Sequence, residues 1–366
     1  MSIRSSGDLV AQRRHVWTVF SGLIGDAGAE PAFESWRGEG AVFASGPAED
    51  WRRGIRGFAR PAGAEQSDQG GGAPVMAYTL YNEAAYQHIR RHQLHRSVGL
   101  TALGRSAPSA SIPAFPADAI VVKTAWWPVA AEGRTAMPVW DPELNPPLAA
   151  GNPYVEWRRI TAIDPSPLTA GVRPVEFMGR TSEARAVGLG AFHHVAVDAQ
   201  MAAQLGRDSE ASRTAVIALG RPVQAGDTLV LVGLNLMTRE LEDWVWAAFW
   251  WHDKGEQGPF AHGRPAAIRG AWKNYLMQAA FDSQTPAAAD GGAHICFNPW
   301  LEGRFPGGAQ GGGATSNCMS CHSRASYPAE NFLPVTRGAP DPKDPALAPD
   351  RLRTSFLWSL PMHAQD

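Results

Sequence analysis

Runs that read as strands come in clusters along this chain, and that arrangement constrains its fold more than any other feature. Residues 227–237 form a long apolar run with the look of a buried strand. Residues 244–251 alternate as a strand does, which sets Trp244, Trp246 and Trp250 on one face. The stretches 75–80, 120–127, 154–161, 173–178 and 191–197 have the length and the β-branched or aromatic content of further strands. Helices are scattered among them. One spans 10–24, where Val16, Val19, Phe20, Leu23 and Ile24 make an apolar stripe. Asn82 caps another that runs to about residue 95, Asp198 caps a short one through 205, and 209–219 is a further candidate. The clearest helical periodicity lies in 265–281. Pro265 suits a first turn, and Ile268, Ala271, Trp272, Tyr275, Leu276, Ala279 and Ala280 recur at i, i+3, i+4 spacing. Strand clusters without regular βα alternation predict an α+β fold with an antiparallel β-rich body and several helices.

Composition narrows the function classes. The 366 residues suffice for a sizeable core and one or two domains. Thirty-three Lys and Arg against 35 Asp and Glu give a net charge of −2 without a basic patch, so no nucleic-acid partner is expected. Gly 38 and Pro 29 stay below the low-complexity range, and the Gly/Ser/Gln-rich stretch 63–72 reads as a loop. Fourteen tryptophans supply large apolar area, first for core packing and second for lining a flat cofactor. No apolar run has the length of a membrane span. Arg13-Arg14 followed by the apolar residues 16–24 mimics a short signal peptide, but the stripe favours a folded helix, with an export signal expected ahead of this numbering.

Two of the three cysteines lie in Cys318-Met319-Ser320-Cys321-His322. Cys-x-x-Cys-His is the spacing of covalent haem attachment. Two thiols add across the haem vinyl groups, two residues span the gap, and the next histidine reaches the iron. A thioredoxin-like dithiol would follow a strand, whereas here the Gly-rich run 307–313 precedes the pair. A structural zinc site from Cys296, Cys318, Cys321 and either His294 or His322, in a non-redox binding protein, is the main alternative. Cys296 is otherwise expected to be a buried structural thiol.

The five-residue motif resembles that of the c-type cytochromes. The resemblance implies one covalent haem c, thioether bonds at Cys318 and Cys321, and His322 as an iron ligand. Residues 125–129, 244–251 and 296–300 are similar to large single-haem bacterial proteins of the cytochrome c family. Unlike small cytochromes, the motif here lies close to the end of the sequence, and the Pro/Asp-rich stretch 340–350 cannot be regular helix. The expected organisation is therefore a body, 1–290, with a haem-binding segment, 291–366, packed on it. Met362 and His363 are the only methionine and histidine after the motif and the candidates for the sixth iron position, His363 slightly ahead. Arg304, Arg324 and Arg337 flank the segment as candidate propionate partners. His88, His92 and His95 share a helical face but are crowded by arginines, and His193 and His194 should point to opposite faces of a strand. The expectation is a periplasmic protein whose iron supports electron transfer or haem-dependent oxidoreduction, with a redox partner protein or a small-molecule substrate. A haem-based ligand sensor is a further alternative.

Overall fold

The computed structural model describes residues 9–26, 28–44, 74–106, 110–141, 143–144, 156–166, 171–281, 294–303, 313–329 and 340–366. It is a mixed α+β fold. The expected loop 63–72 lies outside the described residues.

Helix α1 (Leu9–Ile24) leads into β1 (Arg37–Gly38), α2 (Glu39–Phe43) and β2 (Met76–Tyr81). Helices α3 (Glu83–Arg91) and α4 (Ser97–Ser106) precede the long strand β3 (Ile120–Val129). Then come β4 (Thr135–Val139), β5 (Arg159–Asp164), β6 (Val172–Phe177), β7 (Arg180–Gly188) and the short β8 (His194–Ala196). After α5 (Ala199–Leu205) and α6 (Ser209–Leu219) follow β9 (Thr228–Thr238), β10 (Val245–Trp251) and β11 (Tyr275–Ala280). The last part holds α7 (Cys318–His322), β12 (Ser326–Tyr327), β13 (Leu352–Arg353) and α8 (Ser359–His363).

The central sheet runs β1-β2-β3-β9-β10-β11, antiparallel throughout, with β8 pairing β9 beyond the end of β10. A bulge between Ala125 and Trp126 shifts the β3–β9 register near the point where β9 changes partner from β10 to β8. A smaller sheet, β4-β5-β7-β6, contains one parallel pair, β5 with β7.

Both faces of the central sheet are covered. On one face α1 packs Trp17 and Phe20 on Phe249, the last two rings stacked at 4.1 Å. On the other, Trp246, Ala248 and Ala280 join Ile89, Leu100, Met319, Leu352 and Leu360 in a second core that also contains Cys296 and Cys318. The segment from His294 onward contributes to both cores, through Phe297, Trp300 and Leu301 on one side and Cys318 and Met319 on the other.

Three sequence expectations need correction. Residues 265–281 are not a helix. A 3₁₀ turn, Gly270–Asn274, feeds β11, which pairs with β10 from Trp246↔Ala280 to Trp251↔Tyr275. Gly270 at φ 61° breaks any helix there, and β11 is buried on both sides, so its mostly apolar run satisfies a helical template as easily as a strand. Trp244, at φ 61°, precedes its strand, and Trp250 packs with Trp140 and Phe260 in the first core while Trp246 lies in the second. Helix α3 stops at Arg91, before Gln93 at φ 54°, so His95 leaves the face that holds His88 and His92.

Strand β11 is an edge, and its outward carbonyls are all bonded. Arg264 Nη2 donates to Tyr275 at 2.6 Å, Arg13 Nη1 to Met277 at 2.8 Å, and the His294 ring to Ala279 at 2.7 Å. Three side chains thus occupy the alternating acceptors that an open edge would offer another chain.

Candidate haem-attachment site

The motif folds as one short helix, α7, whose start is fixed from both sides. Asn317 accepts from the Met319 amide at 3.0 Å and donates to the His294 carbonyl at 3.3 Å. Ahead of it the chain bridges to Cys296: the Cys296 amide donates to Ser316 at 3.1 Å, and the Cys318 amide to Cys296 at 2.9 Å. Met319 points into the second core with no exposed surface.

Cys318 and Cys321 are one helical turn apart, on the same side of α7. Their surroundings differ. Cys318 is buried, with its sulfur 3.8 Å from that of Cys296 and its thiol donating to the Cys296 carbonyl at 3.3 Å. Cys321 keeps part of its surface open, and its carbonyl accepts from the Trp358 indole at 3.1 Å. Burial pushes the Cys321 thiol up to about 12.

His322 is held by a residue 34 positions later. Its Nδ1 is 2.7 Å from the Phe356 carbonyl. A carbonyl only accepts, so Nδ1 carries the proton and Nε2 is left with the lone pair. Burial pushes the imidazole down to about 4, against the opposing pull of the Phe356 carbonyl, so the ring is neutral at pH 7. The Trp246 ring lies 4.7 Å away. Ser355 and Phe356 both adopt positive φ, 49° and 67°, a conformation that costs side-chain-bearing residues energy. That turn aims the carbonyl, and Trp244 steadies it by donating to the Ser355 hydroxyl at 3.3 Å.

Comparison with protein-family models, with curated proteins and with solved structures finds no match. The chemistry must therefore be read from the residues themselves.

For a covalent haem the donor set fits: two thiols one helical turn apart, followed by a neutral imidazole whose Nε2 is unprotonated. One adjustment is needed, because the Cys318 sulfur faces Cys296. For a closed zinc site, two thiolates at about 2.3 Å in tetrahedral geometry would lie about 3.8 Å apart, a spacing Cys296 and Cys318 meet. The further donors do not join them. Among the described residues no three of His, Cys, Asp or Glu gather as a metal-holding group.

The other sequence candidates are dispersed. His363, on α8, places Nε2 3.5 Å from buried Glu39 and its ring 5.2 Å from Phe43. Burial opposes ionisation of Glu39, yet His363 holds its carboxyl below the usual range. Met362 is half-buried on the same helix. Arg324 is half-buried, with an Nε lacking a hydrogen-bond partner, whereas Arg304 and Arg337 lie outside the described residues, as does the Gly-rich run apart from Gly313. His88 bonds the Pro113 carbonyl at 3.0 Å with its ring 4.5 Å from His92. His193 pairs with Glu34 and stacks on Trp272 at 4.8 Å, while His194 points to solvent. Sequence reasoning missed Phe356, Trp358 and Glu39. The first two act through a backbone carbonyl and a distant indole, which leave no local pattern. It also missed a cavity of about 400 Å³ lined by Phe43, Arg90, His95, Arg96 and Gln365.

Proposed function

We propose that this chain is a c-type haem protein that carries one covalent haem through Cys318 and Cys321, with His322 as an iron ligand, and that it serves electron transfer or haem-dependent oxidoreduction in the periplasm. The observation that carries the reading is the 2.7 Å contact between His322 Nδ1 and the Phe356 carbonyl. A metal-ligating histidine characteristically donates its second ring nitrogen to such an acceptor, which fixes the tautomer and aims the other nitrogen.

When bound, the haem supplies an iron that cycles between two oxidation states at a potential set by its axial ligands and burial. The chain's own residues do the rest. Cys321 offers the second thiol one helical turn from the first, His322 Nε2 arrives unprotonated at neutral pH, and Trp246 and the second core restrict water around the imidazole. Met362 and His363 are the residues proposed as further ligands that would hold the iron. His363 faces Glu39 through Nε2, so Nδ1 is the nitrogen it would bring. Among the described residues no helix is long and apolar enough to cross a membrane.

Coexpression with a bacterial cytochrome c maturation system tests the proposal. Intact-mass analysis should show the polypeptide plus one haem, and the pyridine haemochrome spectrum should be that of a doubly thioether-linked group. Cys321→Ala should abolish the second linkage and His322→Ala the low-spin spectrum. Matured protein with the bare polypeptide mass would refute the reading. Colourless protein that copurifies with stoichiometric zinc would favour the zinc alternative instead.

A further inference from the structure

The first thiol of the attachment motif is packed against a third cysteine. A parallel bridge aligns Cys296 beside the start of α7, with reciprocal amide-to-carbonyl bonds at 3.1 and 2.9 Å. It sets the two sulfurs 3.8 Å apart in a pocket of the second core, Cys296 with no exposed surface and Cys318 with 6%. A disulfide needs the sulfurs at about 2.05 Å. Closure asks the two sulfurs to approach by about 1.7 Å from their 3.8 Å separation.

We propose that Cys296 and Cys318 form a reversible disulfide that withholds Cys318 from covalent capture of haem. The role of Cys318 in capture rests on the function proposed above; the disulfide itself does not. In the oxidation, each cysteine loses its thiol proton and one electron. The oxidant belongs to the disulfide class, whether a small molecule or a protein. One cysteine thiolate attacks the oxidant's S–S bond, releases one thiol and forms a mixed disulfide. The second cysteine attacks that mixed disulfide, closes the Cys296–Cys318 bond and releases the other thiol. Reduction by two thiols reverses both steps and returns Cys318 to the motif. A sulfur engaged with Cys296 has no hydrogen to add across a vinyl group, so oxidation of this pair and haem attachment exclude each other. Once haem is attached, Cys296 remains the one free thiol of the three in the chain.

The test uses the full chain made in the cytosol without maturation machinery. It is treated with oxidised glutathione, alkylated and mapped by non-reducing peptide mass spectrometry. The expected result is a loss of two hydrogens in intact mass, a dominant Cys296–Cys318 crosslinked peptide, and Cys321 as the alkylated residue. A dominant Cys318–Cys321 crosslink, or three alkylatable thiols after oxidation, overturns the proposal. A second arm compares wild type with Cys296→Ala and Cys296→Ser in a maturation host under oxidising and thiol-supplemented growth. Haem loading of wild type should fall under oxidation and recover with thiol, while loading of both variants stays level. Equal loading of oxidised and reduced wild type overturns the withholding role. Failure of every sample to load haem sinks the haem reading and the withholding role with it, and the crosslink map still judges the disulfide alone.

Discussion

Replacing His322 with asparagine should remove a defined portion of the acid sensitivity of the haem-free chain. The unfolded imidazole takes up a proton near 6.5, whereas the folded one, desolvated and committed through Nδ1 to the Phe356 carbonyl, does so only at about 4. A group whose folded value is depressed contributes stability that is full above its unfolded value and drains as pH falls through the folded one. The window is therefore pH 6.5 to 4. Between pH 7 and pH 4.5 the linkage relation gives a loss of about 2.4 kcal/mol at ~1.36 kcal/mol per decade. Partial exposure of the ring brings the expected figure down to about 2 kcal/mol. Urea unfolding of wild type and His322→Asn at both pH values measures it. The packing cost of the substitution is common to both pH values, and the carboxylates elsewhere are common to both proteins, so both cancel in the double difference. Equal losses by the two proteins between pH 7 and 4.5 would show that the folded ring is already protonated or freely solvated, and the argument that Nε2 holds a lone pair at neutral pH would fail.

Other perturbations have distinct readouts. The Asp253 carboxylate, almost fully buried, takes a bidentate fork from Arg159 at 2.7 and 2.6 Å; Asp253→Asn leaves that guanidinium only Asp141, at 3.7 Å, and should cost about 1.5–3 kcal/mol in urea unfolding at pH 7. Arg13 donates to the Phe260, His262 and Met277 carbonyls. Arg13→Met should lower stability by about 2–4 kcal/mol, the worth of one to two charge-assisted bonds, and light scattering should show self-association through the opened β11 edge. At Gly233 an added Cβ would meet the Asn298 amide at 2.9 and 3.1 Å. Asn298 bonds the Phe249 carbonyl there, so Gly233→Ala should cost about 1–3 kcal/mol, read as a lowered thermal midpoint.

Local signals in the sequence placed several elements correctly. The stripe of α1 buries Val16, Phe20, Leu23 and Ile24 as its spacing predicts. The Asn82 and Asp198 caps form, accepting from the Ala85 and Met201 amides at 3.0 and 2.7 Å. Strands β9 and β10 lie where their apolar content put them. The failure at 265–281 has its own cause. Strand β11 is buried on both faces with Gln278 its single polar residue, so no alternation marks a period of two, and the coincidence of Trp272, Tyr275, Leu276 and Ala279 at helical spacing is uninformative. The parallel β5–β7 pair was equally hidden, because it depends on which strands meet rather than on what any one of them contains.

The site divides along a similar line. Which atoms are reactive is a local property, and Cys318, Cys321 and His322 display it within five residues. What each atom faces is not local. The His322 tautomer is decided by a carbonyl on Phe356, the environment of Cys318 by the bridge to Cys296, and the seat of Cys321 by the Trp358 indole. Two of these three determinants come from 356–358, the stretch that continues directly into α8 with Met362 and His363. A shift of that stretch would therefore change the hold on His322 and the position of the candidate sixth ligand together. The second core, through Leu357 and Leu360, couples both to the central sheet. The strained pair Ser355–Phe356 is thus the joint between α8 and the His322 ring, and it is braced by the Trp244 indole at the mouth of β10.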